Sequence, residues 1–143
     1  MSEPRVAECQ YEPVPTCGPE ASLEEVAAIL RTGDVDVVVV VDGGAAVGVI
    51  SKTDLVNAAF VEPYLRFWRG MAARHLMSAP AISVRPDTPL AAALELLRSR
   101  RIHRLVVAEP APGGERPIGI LALAEMVRVL GFAAAEGRLE TRA

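Results

Sequence analysis

The chain contains itself twice. Residues 11–31, YEPVPTCGPEASLEEVAAILR, align with residues 78–98, SAPAISVRPDTPLAAALELLR. At this offset of 67, Pro13 meets Pro80, Pro19 meets Pro86, Leu23 meets Leu90, Leu30 meets Leu97 and Arg31 meets Arg98. VDVVVVVD from Val35 then lies over IHRLVVAE from Ile102. The stretch PAPGGERP reads as a longer loop in the second copy. It moves the offset to 71, where VGVISKTDL from Val47 pairs with IGILALAEM from Ile118. A repeat of this extent fixes the architecture first, because each copy must fold as the same unit and share its apolar face with the other.

Each copy reads as β-α-β-β-α. A short extended piece (15–17; 82–84) leads into a turn with proline and an acidic residue. In copy one, Leu23, Val26, Ala27 and Leu30 mark an amphipathic helix, with Ser22 and Glu25 at capping-box spacing. In copy two, Leu90, Leu94 and Leu97 form the stripe, and Thr88-Pro89 reads as an N-cap and first-turn pair. Val37 to Val41 are apolar without alternation, as in a strand buried on both faces. A turn at Asp42-Gly43-Gly44, a strand over 46–50 and a helix over 51–60 complete the first copy. The second continues with strands at 105–108 and 117–121 and a helix over 122–130. The expected fold class is therefore mixed α+β (α/β), with repeats at 6–60 and 77–131. Residues 61–76 join them as an amphipathic helix or hinge carrying Tyr64, Phe67 and Trp68, and 132–143 form a flexible tail.

Composition excludes several classes. Net charge is −3, which argues against a dedicated nucleic-acid binder. Cys9 and Cys17 build no disulfide framework and read as reduced cytoplasmic thiols. No apolar run reaches the ~18 residues of a membrane span, and no secretory signal core is present. No nucleophile–base pair, metal cluster or Walker-type loop suggests an enzyme. Cys9 and His75 fall at nearly equivalent repeat positions, but no close ligand spacing supports a metal site.

One segment carries chemistry. Gly48-Val49-Ile50-Ser51-Lys52-Thr53-Asp54 places a glycine on a strand, a hydroxyl at the strand–helix junction and a carboxylate one turn on. Gly48 allows close backbone approach by a ligand. The Ser51 hydroxyl and the first-turn amides can hold a phosphate. Asp54 would repel phosphate and suits a ribose diol. Ser-x-x-Asp is also a plain helix cap, with an acidic residue favourable to the dipole.

The unit order, this motif and the leading element HLMSAPAISVRPDTPL resemble a tandem CBS-domain pair over residues 6–131. The resemblance implies two pseudo-twofold-related repeats with two clefts. It also implies regulation by an adenosine-containing ligand such as AMP, ADP, ATP or S-adenosylmethionine, with no cofactor required. The first cleft would join Val49, Ser51 and Asp54 to Ile82, Ile102, His103 and Arg104. There Val49, Ile82 and Ile102 would face adenine, and His103 or Arg104 would neutralise phosphate. The second departs from the pattern. Ala122 stands for the hydroxyl, Glu125 for the aspartate and Asp36 for His103, and a carboxylate facing phosphate costs roughly 1 kcal/mol or more at short range. That cleft is expected to be weak or empty. A homodimer packed through helices and a protein partner are expected, and a membrane is not. A structural dimerisation module without ligand is the alternative. A further one is nucleic-acid binding through the Arg98–Arg104 cluster, whose arginines otherwise read as a solvated helix end.

Overall fold

A run of four valines, Val37 to Val40, is at most 9% exposed and forms the centre of the first sheet. The computed structural model describes residues 3–11, 13–32, 36–60 and 70–135, with side chains described as far as residue 129. In the first copy, β1 (Thr16–Cys17) leads through α1 (Leu23–Thr32) into β2 (Val37–Asp42), which runs parallel to it. Gly43 and Gly44, at φ 60° and 86°, turn the chain into antiparallel β3 (Ala45–Ser51), and α2 (Lys52–Phe60) follows. A one-turn helix, α3 (Ala73–Leu76), precedes the second copy. There β4 (Ser83–Val84), α4 (Leu90–Arg100), β5 (Arg104–Ala111), β6 (Gly114–Ala122) and α5 (Leu123–Ala135) repeat the order. The result is two three-stranded sheets, β1-β2-β3 and β4-β5-β6, in the β-α-β-β-α order expected.

Four local readings are corrected. PAPGGERP is not a loop, because β5 runs to Ala111, β6 starts at Gly114, and Gly113 and Gly114 at φ 88° and 145° allow the tight reversal. The last helix continues to Ala135 rather than ending at residue 130, carried by an alanine run of high helix propensity. Thr88 does not cap α4: its hydroxyl accepts the Arg85 amide at 3.0 Å, closing the turn before the helix. The buried stripe of α4 is Leu90, Ala93 and Leu97, while Leu94 is only half-buried. In α1, by contrast, the Ser22 hydroxyl takes the Glu25 amide at 3.0 Å, as the spacing predicts. Tyr64, Phe67 and Trp68 lie outside the described residues.

The chain packs as two units. One comprises Pro13–Ile82 and Glu109–Ile118, the other Met1–Glu12, Ser83–Ala108 and Gly119–Ala143. The first has a core of Val26, Leu30, Val38, Val40, Ile50 and Ala73. The second buries Val6, Leu90, Leu97, Leu105, Val107, Leu121 and Met126. Each unit borrows the segment that precedes the other copy. Val6 and Ala7 donate to the carbonyls of Thr88 and Pro86 at 2.9 and 2.8 Å. Their repeat equivalents, Ala73 and Arg74, donate to Ala21 and Pro19 at 2.8 and 2.9 Å. Arg5 bridges Pro89 as Ala72 bridges Ser22. These segments satisfy backbone groups at the starts of α4 and α1 that would otherwise be orphaned.

Candidate functional site

The strand β3 ends and α2 begins at Ser51. Its hydroxyl oxygen accepts the Asp54 amide at 3.0 Å, and its own amide donates to Asp54 Oδ2 at 2.9 Å. This is a reciprocal capping box. The Lys52 amide donates to the Asp36 carbonyl at 2.9 Å. The amides of Ser51, Lys52 and Asp54 are thus held within the chain, so the helix end offers a phosphate less than the sequence suggests. What the pair retains is the Ser51 O–H and the second Asp54 carboxylate oxygen, which accepts no hydrogen bond among the described residues. Both residues are half-buried. A diol fits this donor and acceptor better than a phosphate does.

Gly48 needs its missing side chain for a reason other than a ligand. A Cβ there would lie 2.6 Å from Met77 Sδ and 2.9 Å from the Ser78 carbonyl oxygen. Val49 and Ser78 exchange backbone hydrogen bonds at 3.0 and 2.9 Å, clamping this segment to β3. Gly119 is closed in the same way by the Tyr11 ring. The repeat offsets place Tyr11 over Ser78 and Gly48 over Gly119, so this packing was available in the alignment.

Val49, Ser51, Asp54 and Ile82 belong to one unit, and Val49 and Ile82 are half-buried there. Ile102, His103 and Arg104 belong to the other. The Ile102 amide donates to the Leu97 carbonyl at 3.1 Å, and the His103 carbonyl accepts the Leu123 amide at 3.2 Å. His103 is exposed. Ile102 and His103 line a mostly apolar groove of about 630 Å³ with Leu94, Arg98, Arg101 and Leu123. Arg98 is tied to Glu95 at 2.8 Å. Arg100 and Arg101 are exposed at the helix end.

The second copy has lost the reciprocal pair. Ala122 supplies no hydroxyl, and the Glu125 carboxylate turns elsewhere. It accepts the Gln10 amide at 2.8 Å and pairs with Arg128 Nε at 3.0 Å. Arg128 holds this carboxyl below the usual glutamate range, helped by the Gln10 amide and opposed by burial. Asp36, at the position of His103, pairs with Lys52 at 3.6 Å.

The remaining candidates have structural partners. His75 Nδ1 accepts the Ala72 amide at 2.9 Å and closes the start of α3. Burial pushes both thiols up, helped by Glu125 at Cys9 and by Glu25 at Cys17, so both are poor nucleophiles. Among the described residues no helix is long and apolar enough to cross a membrane.

The model of the CBS domain family matches residues 6–60 and 73–131. Solved structures agree. The CBS domain pair of protein MJ0100, in complex with 5′-methylthioadenosine and S-adenosyl-L-methionine, is 20% identical with a TM-score of 0.76, covering 92% of this chain and 98% of its own. CBSX2 in complex with AMP is 26% identical with a TM-score of 0.73, covering 91% and 98%. CBSX2 from Arabidopsis thaliana is 25% identical with a TM-score of 0.74, covering 94% and 99%. No curated protein sequence matches the chain.

Proposed function

The chain belongs to the CBS domain family, and on that premise we propose that it is a non-catalytic regulatory module that binds one adenosine-containing ligand per chain. The observation that carries this reading is the half-buried Ser51–Asp54 pair, which keeps one hydroxyl donor and one carboxylate acceptor after capping its helix. In the proposal, Asp54 accepts from the ribose diol and Ser51 donates to ribose or phosphate. Val49 and Ile82, in the same unit as the pair, supply apolar surface for adenine. CBSX2, 26% identical, is described with AMP, which supports AMP, ADP, ATP and S-adenosylmethionine as the class to test. Regulation then needs an output, for which we infer a homodimer or a protein partner. A ligand transmits a signal only through different affinities for two states of that assembly.

A second reading has its own support. The reciprocal cap explains Ser51 and Asp54 without any ligand, as in a purely structural module. A melting-temperature screen against AMP, ADP, ATP and S-adenosylmethionine separates the two. A bound ligand at about 100 times its Kd stabilises by about 2.7 kcal/mol. A shift that disappears in Asp54→Asn supports the ligand site, and no shift with any of the four supports the structural module.

A further inference from the structure

We propose that Glu125 is a latch that ties residues 4–11 to the second-copy unit, so that the second Ser-x-x-Asp position has been turned from ligand binding to holding the chain's own backbone. Three observations meet at this residue. Its side chain is only 16% exposed although it sits in the first turn of α5. Its Oε2 accepts the backbone amide of Gln10 from 115 positions away, at 2.8 Å. Arg128, one turn further along the same helix, orients the carboxylate through Nε at 3.0 Å to both oxygens.

The first copy shows what the alternative looks like. Asp54 folds back on Ser51, and Met77, the repeat equivalent of Gln10, donates its amide to the Ala73 carbonyl at 3.0 Å instead. Two substitutions account for the difference. Ala122 removes the hydroxyl that would hold the carboxylate's own helix amide, and glutamate adds the methylene needed to reach the neighbouring segment. Gln10 flanks Cys9, which is buried, and Tyr11, whose ring fills the space over Gly119. The latch therefore anchors the end of a segment that also carries Val6 into the core.

The test is hydrogen exchange of the Gln10 amide in the full chain. Glu125→Ala leaves that amide without its acceptor, so exchange is expected to quicken by about tenfold or more. Glu125→Gln keeps a carbonyl oxygen without the charge and is expected to retain part of the protection, more than Glu125→Ala does. Arg128→Ala is expected to have a smaller effect than Glu125→Ala, because the Gln10 acceptor remains. Unchanged Gln10 exchange in Glu125→Ala overturns the proposal. So does an equal acceleration across α5 in Glu125→Ala, which marks a helix effect rather than a latch. These readouts use no ligand and stand apart from the adenosine reading.

Discussion

Ser51 and Asp54 hold each other's backbone amides, at 3.0 Å to the serine hydroxyl and 2.9 Å to the aspartate Oδ2. Under the proposed function the pair has a second role beside capping its helix, so the two must be separated by substitution. Asp54→Asn keeps an oxygen for the Ser51 amide and removes the charge. Its stability is expected within about 0.5 kcal/mol of the parent, whereas Asp54→Ala loses about 1 kcal/mol with the cap. Both variants are expected to lose the ligand-induced rise in melting temperature. A full rise in Asp54→Asn shows that the carboxylate does not bind the ligand.

The second copy should regain a site when its motif is restored. Ala122→Ser with Glu125→Asp recreates the Ser-x-x-Asp pair, but Asp36 still stands where the first set has His103. Adenosine, which carries no phosphate to be repelled, is therefore the probe. Calorimetric stoichiometry is expected to rise from one toward two per chain. A stoichiometry still at one shows that more than these two positions has been lost.

Gly48→Ala tests what the motif glycine is for. Its Cβ would press on Met77 Sδ at 2.6 Å, Met77 Cγ at 2.8 Å and the Ser78 carbonyl at 2.9 Å. The methionine can yield, but the carbonyl is fixed by its bond to the Val49 amide. A loss of about 1–3 kcal/mol in denaturant unfolding is expected. A neutral result shows that the segment shifts freely away from β3.

Arg101 ends α4 in the left-handed region, at φ 55° and ψ 47°, with its amide on the Leu97 carbonyl. Glycine adopts that conformation without the Cβ clash. Arg101→Gly is expected to stabilise by about 0.5–1 kcal/mol, read as a rise of about 2–4 °C. A fall in melting temperature indicates that the guanidinium makes a contact worth more than the strain.

The repeat made the element order legible, because Val37 to Val40 and the Leu23, Val26, Leu30 stripe carry their burial in their side chains. The exchange of leading segments was not legible. The bonds from Val6 and Ala7 to Thr88 and Pro86 join backbone to backbone, and no side-chain pattern encodes them. Gly48 signalled a close approach without naming what approaches, and the neighbour proved to be Met77-Ser78. Leu94 fits a helical stripe as well as Ala93 does, since positions three and four apart share a face. Only packing places Ala93 in the core and Leu94 at a groove. The Ser51–Asp54 pair was visible as a motif, and its reciprocal closure follows from the geometry of a capping box.

Acid should loosen the Glu125 latch. Arg128 and the Gln10 amide hold this carboxyl below its usual value in the folded chain, more than burial raises it. A group whose folded value is depressed adds stability above its unfolded value, about 4.3 for glutamate, and loses it as pH falls through the folded value. The neighbouring charges do not mask this. Arg128 stays protonated, with its value raised by Glu125, and the Cys9 thiol is pushed up and stays neutral across the acid range. Glu8, which also acts on Cys9, lies exposed on the same segment. The parent protein and Glu125→Gln should therefore differ most near pH 7 and converge as pH falls from the unfolded value through the lower folded one. Gln10 exchange, corrected for its intrinsic pH dependence, and melting temperature both read this difference. A gap between parent and variant that stays constant from pH 7 to pH 3 shows that the carboxylate charge does not hold the segment.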